Sequence, residues 1–413
     1  MINSDFMDTL LDGVEVEWKT IGEVSEIYGG LTGKSKVDFE NGNAYYIPYK
    51  NIFSNIDVDF ENLESVKISA SENQHKVKYG DVLFTGSSEI AEEAGMSSSV
   101  TIKFDSTVYL NSFSFGVRFN DDIQLIPEFS KYLFRSRLMR TEIVKTANGV
   151  TRFNVSKARF KKILIPIPPL RVQEEIVRIL DTFTELTAEL TAELTAELAA
   201  RKKQYTYYRD KLLTFEEGEV EWKALGEVTE FSNGKGHEKD IIEDGKYIVV
   251  NSKFISTDGQ VAKYSNKQIC PLIIDDILIV MSDLPNGKAL SKTFIVDKND
   301  KYTLNQRIGK ISVKNKQVLL PKFLQYFLNR TPQLLKYNNG VDQTNLRKAQ
   351  ILGIQVPIPP LSEQERIVSI LDKFDTLTTS ITEGLPREIE LRQKQYEYYR
   401  NMLLSFPKEE VEK

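Results

Sequence analysis

Residues 186–198 read LTAELTAELTAEL, three tandem copies of Thr-Ala-Glu-Leu, within a stretch (170–215) that contains neither Pro nor Gly. Ala, Glu and Leu are strong helix formers and Thr a middling one. An unbroken helix of about 40 residues is ~60 Å long. Leu186, Leu190, Leu194 and Leu198 recur every four residues, a stripe that precesses slowly around such a helix. Ile176, Ile179, Leu180 and Phe183 begin the stripe, and Tyr205, Tyr208 and Leu212 continue it. A helix of that length with an apolar stripe requires a partner along it.

The partner lies in the same sequence, because the chain is written twice. GVEVEWKTIGEV (13–24) returns as EGEVEWKALGEV (217–228), and LNSFSFG (110–116) has a weaker echo in LNQRIG (304–309). IPEFSKYLF (126–134) corresponds to LPKFLQYFL (320–328), and GVTRFNVSK (149–157) to GVDQTNLRK (340–348). IPIPPLRVQEEIVRILDTF (165–183) closely matches VPIPPLSEQERIVSILDKF (356–374), and KKQYTYYRDKLLTF (202–215) matches QKQYEYYRNMLLSF (393–406). Trp18 and Trp222 are 204 residues apart, whereas the Pro-Pro pairs and the Gln-Tyr pairs are each 191 apart. The helical parts therefore have equal length, and the globular parts differ by 13 residues. That is the pattern of one frame holding two different readers. The start (TLLDGVEVEW) and finish (LLSFPKEEVEK) each resemble half of the middle joint LLTFEEGEVEW, which predicts a pseudo-twofold, near-circular order of domain, helix, domain, helix.

The 413 residues suffice for two or three domains, with 41% hydrophobic and 27% charged residues, as in ordinary globular chains. A single cysteine, Cys270, excludes an internal disulfide and fits a reducing compartment. The acidic, interrupted first residues do not read as a signal peptide, and no apolar run approaches the ~18 residues of a membrane span. A cytoplasmic protein with no membrane partner is the expectation. The net charge of −5 argues against indiscriminate coating of nucleic acid. Between Lys131 and Lys162, however, ten basic residues face one acid, Glu142, a density that suits either a phosphate-binding face or a solvated helix surface.

Short apolar or alternating runs predict strands: YYIPY and GDVLFTG in the first copy, KYIVVNS, DDILIVM and KTFIVD in the second. One helix is predicted near the end of each, Pro127 to about Lys145 and Pro321 to about Lys336. IPIPP must be extended or polyproline-like. Ser362 and Glu365 suggest a capping box in the second copy that Arg171 denies the first. Where the first long helix has TAEL, the second has ITEGLPREIEL, so a break near Gly384 and Pro386 is predicted.

Catalytic motifs fail on inspection. GGLTGKS (29–35) is one residue too short between Gly29 and Gly33 for a phosphate-binding loop, and its counterpart SNGKGHEK does not preserve it. His75, His237 and Cys270 cannot build an ordinary zinc site, and His237 reads as an exposed loop histidine that could touch a ligand. No Gly-x-Ser-x-Gly and no Asn/Asp-Pro-Pro-Tyr/Phe is present. The tyrosines of KKQYxYYR and QKQYxYYR belong to the helix pair, with Tyr205, Tyr208, Tyr396 and Tyr399 as candidate partner-binding residues.

The doubled IPIPPL and QYxYYR segments, the GVTRFNVSK element and the TAEL array closely resemble the specificity (S) subunit of type I restriction–modification systems, IC-like subclass, over nearly the whole chain. The resemblance implies an α+β fold with two mixed α/β target-recognition domains separated by two long antiparallel helices that form a coiled-coil spacer. The corresponding divisions are 1–158, 159–214, 215–349 and 350–413. It implies a noncatalytic subunit in which each domain reads one half of a bipartite, asymmetric double-stranded DNA site. The helices set the spacing and dock two modification (methyltransferase) subunits, and restriction (translocase/nuclease) subunits complete the assembly. S-adenosylmethionine and ATP with Mg belong to those partners, so no cofactor and no metal are expected on this chain.

Base readout needs Arg, Lys, Asn, Gln or Ser on groove-facing loops. The candidates are Lys34, Ser35, Ser87, Ser88, Arg152, Asn154 and Lys157 in the first domain. In the second they are Lys235, His237, Asn305, Gln306, Arg307, Gln343, Asn345 and Arg347. Asn154 and Asn345 match between copies, which favours a phosphate or structural task. Sequence reading belongs where the copies differ, as Arg152 does from Gln343. A free-standing DNA-binding regulator and a protein-only scaffold are the competing readings.

Overall fold

The structure is a computed structural model that describes residues 4–216, 218–284, 287–379 and 383–407. It resolves into two compact units, Met1–Thr191 with Leu391–Lys413, and Ala192–Glu390.

The first unit is built on an antiparallel four-stranded sheet in the order Ser25–Gly29, Ser114–Phe119, Val82–Thr85, Ser97–Ser99. A three-stranded sheet, Glu64–Val66, Ala44–Ile47 and Val108–Leu110, stands beside it, its last pair parallel. The second unit repeats both sheets strand for strand. Thr229–Asn233, Ile308–Val313, Ile277–Val280 and Thr293–Ile295 form one, and Tyr264–Ser265, Tyr247–Val250 and Tyr302–Leu304 the other. Central strands such as VLFT and ILIV are buried at every position, so their side chains are apolar on both faces apart from Thr85, whose hydroxyl accepts from Met96 N–H at 2.9 Å. In the first unit Phe84 and Phe115 stack at 5.4 Å, with Phe160 edge-on to Phe84 at 5.0 Å.

The segment before each long helix is a strand. Leu164–Ile167 pairs with Glu17–Thr20, and Gln355–Ile358 with Glu221–Ala224, placing Trp18 opposite Pro166 and Trp222 opposite Pro357. Prolines are tolerated because each sheet has only two strands.

The central helix runs unbroken from Leu170 to Leu212, 43 residues. A repeat of four advances about 40° further than one full turn, and the consequence is visible in the TAEL array. Leu186 is 55% exposed, and the sheltered face moves from Thr187 to Leu190 and Thr191, then to Leu194, then to Glu197 and Leu198. No residue of the array is buried, so the ridge is held at its ends. In the first unit the helix lies antiparallel to the C-terminal helix Gly384–Leu403, with Phe183 against Tyr399 and the Thr184 hydroxyl 2.9 Å from that of Tyr396. In the second unit Tyr205 and Tyr208 pack on Phe374 of the helix Leu361–Thr379. The predicted break in the second arm is present: one helix stops at Thr379 and the next begins at Gly384, whose φ is +79°. Residues 380–382 of ITEGLPREIEL lie outside the described residues. Pro386 sits in the first turn, where its missing N–H costs no helical bond.

Two local predictions need correction. The helix expected over Pro127 to Lys145 is two, Pro127–Leu133 and Arg137–Lys145. Ser136, with extended backbone, caps the second by accepting from Met139 N–H at 3.3 Å. In the second unit Pro321–Leu328 and Pro332–Leu335 divide in the same way, with Arg330 at φ +56° between them. The capping box at Ser362 is absent because the helix already starts at Leu361, leaving Ser362 exposed inside the first turn.

The glutamine two residues further on does the joining instead. Gln364 is fully buried; its Oε1 accepts from Leu320 N–H at 2.8 Å, and its Nε2 donates to the carbonyls of Val318 and Pro359. Gln173 does the same in the first unit with Ile126 N–H, Gln124 O and Pro168 O. Ile126 and Leu320 each precede a helix beginning with proline, so each glutamine pins that helix start to a long helix. One turn or two further along, Tyr132 donates to Asp181 at 2.6 Å and Tyr326 to Asp372 at 2.5 Å. Lysine joins both carboxylates from different helical positions, Lys131 at 3.1 Å and Lys322 at 3.4 Å. Burial pushes both tyrosine hydroxyls far above their ordinary range, so they remain donors.

The chain ends of the first unit meet as the repeat suggests. Met7 and Leu11 of the helix Ser4–Leu11 share a core with Leu403, Leu404 and Phe406, and Trp18 Nε1 donates to Pro407 O at 3.0 Å.

Candidate nucleic-acid interface

A short strand, Ser87–Ser88, leaves the main sheet of the first unit and pairs with Phe153–Val155, which also pairs with Ala147–Asn148. This ribbon brings Ser87, Ser88, Arg152, Asn154 and Lys157 together, five of the seven candidates of the first domain. Arg152 Nε donates to Ser87 Oγ at 3.0 Å, and its guanidinium lies 5.7 Å from the ring centre of Phe113. Lys157 holds its ammonium 5.6 Å from the Phe115 ring. Asn154 is exposed, its amide 3.3 Å from Arg152 O. Sequence reasoning missed Tyr49, whose hydroxyl donates to Ser87 O at 2.8 Å, and Phe113. Phe113 is 61% exposed on a turn fixed at both backbone groups: its N–H donates to Asn111 Oδ1, and its carbonyl accepts from Gly86 N–H at 2.7 Å. A Cβ on Gly86 would stand 2.6 Å from that carbonyl, so glycine is required for the approach.

The second unit builds the same face from other residues. Ser282–Asp283 pairs with Thr344–Asn345, and Gln343 Nε2 donates to Ser282 Oγ at 2.8 Å. Arg307 occupies the place of Phe113: its carbonyl accepts from Met281 N–H at 3.1 Å, and it is exposed with φ +67°. Asn305 replaces Asn111 beside Gly234, as Asn111 lies beside Gly30. In the first unit Asn111 Oδ1 accepts from Phe113 N–H and Ser114 Oγ; with Ile308 in place of Ser114, the Asn305 Oδ1 has no partner among the described residues. Lys348 stands 5.6 Å from the Phe231 ring as Lys157 stands from Phe115. The sequence match of the two lysines carried that signal, although Arg347 was the residue singled out. Arg347 instead begins the helix Lys348–Leu352, its N–H bound by Gln350 at 2.7 Å.

Five further candidates are engaged by other contacts. The Lys34 side chain is 5% exposed and bonds Glu72 and Lys67 O, and Ser35 shares a capping turn with Asp38. His237 is buried, not an exposed loop residue. Its Nδ1 is 2.8 Å from Lys235 O, which can only accept, so Nδ1 donates, and Nε2 lies 2.9 Å from the Thr303 hydroxyl. Gln306 is tied to Glu238, and Lys235 bridges to Asn305.

The model of the type I restriction–modification DNA specificity domain matches residues 13–200 and again 217–391. The EcoR124I/EcoR124II type I restriction enzyme specificity subunit of Escherichia coli is 34% identical over 100% of this chain and 99% of its own length. A putative type I restriction enzyme specificity subunit of Haemophilus influenzae is 33% identical over 98% and 99%. The chain belongs to the type I restriction–modification specificity subunit family. Its fold is shared by the HsdS subunit from Thermoanaerobacter tengcongensis, with TM-score 0.55, 17% identity and coverage of 95% and 96%. A chain from a study of type I R-M complex assembly and conformational transition aligns with TM-score 0.64, 17% identity and coverage of 95% and 98%.

Within this specificity subunit the basic run 131–162 is not a single surface: Arg137, Lys145, Arg152, Lys157, Arg159, Lys161 and Lys162 are exposed, whereas Arg135 and Arg140 turn inward. Arg135 donates to Ser97, Ile52, Phe53 and Asn55 carbonyls, and Arg140 to those of Gly95, Glu92 and Ala94. Burial lowers both guanidinium groups to about 10. They are internal clamps that hold loops against the helix pair, leaving Arg152 and Lys157 as cations of the open face. Of the candidate tyrosines, Tyr205, Tyr396 and Tyr399 are half-buried in helix packing, whereas Tyr208 stacks on Phe374 and is 38% exposed. The outward members of the tyrosine pairs are Tyr207 and Tyr398, 61% and 63% exposed, each edge-on to its neighbour.

Proposed function

We propose that this chain is the noncatalytic DNA-specificity subunit of a type I restriction–modification complex, each unit reading one half of a bipartite, asymmetric double-stranded site. The observation that carries the reading is the face built twice on one frame: Ser87, Phe113 and Arg152 in one unit, Ser282, Arg307 and Gln343 in the other. A scaffold without a nucleic-acid target has no use for unlike polar residues on matched exposed ribbons. The ammonium groups of Lys157 and Lys348 suit phosphate contacts, which position without reading.

The long helices serve two purposes in this reading. They separate the readers, and they dock two modification (methyltransferase) subunits, with Tyr207 and Tyr398 as the outward aromatic contacts at equivalent places. Restriction (translocase/nuclease) subunits complete an assembly that is an adenine-specific DNA methyltransferase and an ATP-dependent endonuclease. S-adenosylmethionine belongs to the modification subunits, and ATP with Mg to the restriction subunits. The net charge of −5 fits a subunit that grips DNA jointly with partners. The setting is cytoplasmic; among the described residues no helix is long and apolar enough to cross a membrane.

Fluorescence anisotropy with a pool of labelled duplexes tests this reading. Sequence-selective binding should appear when purified modification subunits are added to the chain. Equally tight selective binding by the chain alone would favour a free-standing regulator, and no selective binding in either state would overturn the proposal.

A further inference from the structure

The geometry points to Arg152 as the reader of a guanine in one half-site and Gln343 as the reader of an adenine in the other, both presented by the same serine seat. The inference rests on the DNA-reading function proposed above and deepens it to single residues. Arg152 spends Nε on Ser87 Oγ, at 3.0 Å, and among the described residues no hydrogen bond takes Nη1 or Nη2. The side chain is exposed, and the ring of Phe113, on a turn held at both backbone groups, lies 5.7 Å from the guanidinium. What remains is a planar pair of N–H donors facing outward, the shape that matches the O6 and N7 acceptors of guanine.

Gln343 reaches the same end with different chemistry. One amide hydrogen goes to Ser282 Oγ at 2.8 Å, and the exposed side chain keeps its second N–H and Oε1. A donor beside an acceptor matches N7 and the N6 amino group of adenine, and cannot pair with guanine's two acceptors. In each copy the serine takes the inner donor and orients the outer pair. A phosphate would attract Arg152 as a charge but offers a neutral Gln343 far less. The unlike residues on a matched seat therefore belong to readout, while the matched Asn154 and Asn345 belong to the frame.

The test uses the complete complex of this chain with its modification subunits, and maps methylated sites by single-molecule sequencing. Arg152→Gln is a mild change, because the second unit already shows that Gln makes the serine bond. The expected result is a change of one position in the first half-site from G to A, with the preference between the two bases shifting roughly tenfold or more. The second half-site, read by the same molecules, stays as it was and reports that the variant is folded. Gln343→Arg should produce the reciprocal change in the second half-site only. An unchanged motif, or uniform weakening across all sequences with a shallower salt dependence, would overturn the inference and leave Arg152 as a phosphate contact. A wild-type complex that marks no defined motif would instead sink the underlying DNA-reading function.

Discussion

Deleting Thr191–Leu194 removes one TAEL unit from the middle of the central helix, and its effect follows from helix geometry. Four residues carry about 6 Å of rise and about 400° of rotation, so the downstream part moves back ~6 Å and turns ~40°. One base step along DNA is 3.4 Å and about 34–36° at 10–10.5 base pairs per turn. Length alone asks for nearly two steps, and rotation alone for about one. The predicted outcome is a gap between half-sites shorter by one or two base pairs, with both half-sites unchanged. The cost to stability should be small, because Ala192 and Glu193 are exposed, Thr191 and Leu194 only half-buried, and the following TAEL restores the same residues. The residues of the Phe183–Tyr399 and Tyr208–Phe374 contacts are all retained, and the second arm has to shorten with the first for both contacts to re-form. Methylation mapping in cells carrying the whole system reads the gap directly. An unchanged gap, or altered bases within either half-site, would refute the idea that helix length sets the spacing.

Other consequences can be checked on purified protein. Gln364→Ala leaves the Leu320 N–H and the Val318 and Pro359 carbonyls without their partner, at roughly 1–3 kcal/mol for each group that water does not reach. Hydrogen exchange should show the helix Pro321–Leu328 opening more readily while Pro127–Leu133 is unaffected, and Gln173→Ala should give the converse; equal protection in variant and wild type would remove the clamp. The Lys34 ammonium, then Gln74 and the Ser69 N–H, hold the Glu72 carboxyl down to about 2. A depressed carboxylate stabilises the fold fully above its ordinary value of 4.5 and loses that effect as pH falls toward 2. The difference in thermal midpoint between wild type and Glu72→Gln should thus be constant above about pH 5 and close below it; a difference independent of pH would contradict the assignment. Tyr207→Ser with Tyr398→Ser should reduce co-purification of modification subunits without moving the thermal midpoint, and undiminished co-purification would place docking elsewhere.

The frame was legible in the sequence because repetition is independent of contact detail. Equal spacing of the Pro-Pro and Gln-Tyr pairs announced matched helices, and Gly384 with Pro386 announced where one of them breaks. The matched ribbons were partly legible for the same reason, since aligning GVTRFNVSK with GVDQTNLRK sets Arg152 against Gln343. What failed to show were roles decided by tertiary burial. Arg135 and Arg140 read as surface charge, yet they point inward to backbone carbonyls that no local pattern reveals. Lys34 sits in a glycine-rich loop that suggests openness, but Glu72, 38 residues away, closes over it. Gln173 and Gln364 carried a signal in their exact recurrence, but a glutamine in a helical first turn ordinarily faces water. Phe113 escaped notice although Arg307 was a candidate, because the echo LNSFSFG to LNQRIG is too short to show that an exposed ring and a guanidinium share one turn.

The central claim is that two unlike readers are held at a set distance on one chain, and the modification motif of the wild-type complex tests it most directly. The account predicts two short specified sequences, different from one another, separated by a gap of fixed length and unspecified bases. A continuous recognition sequence, or two identical halves, would contradict it.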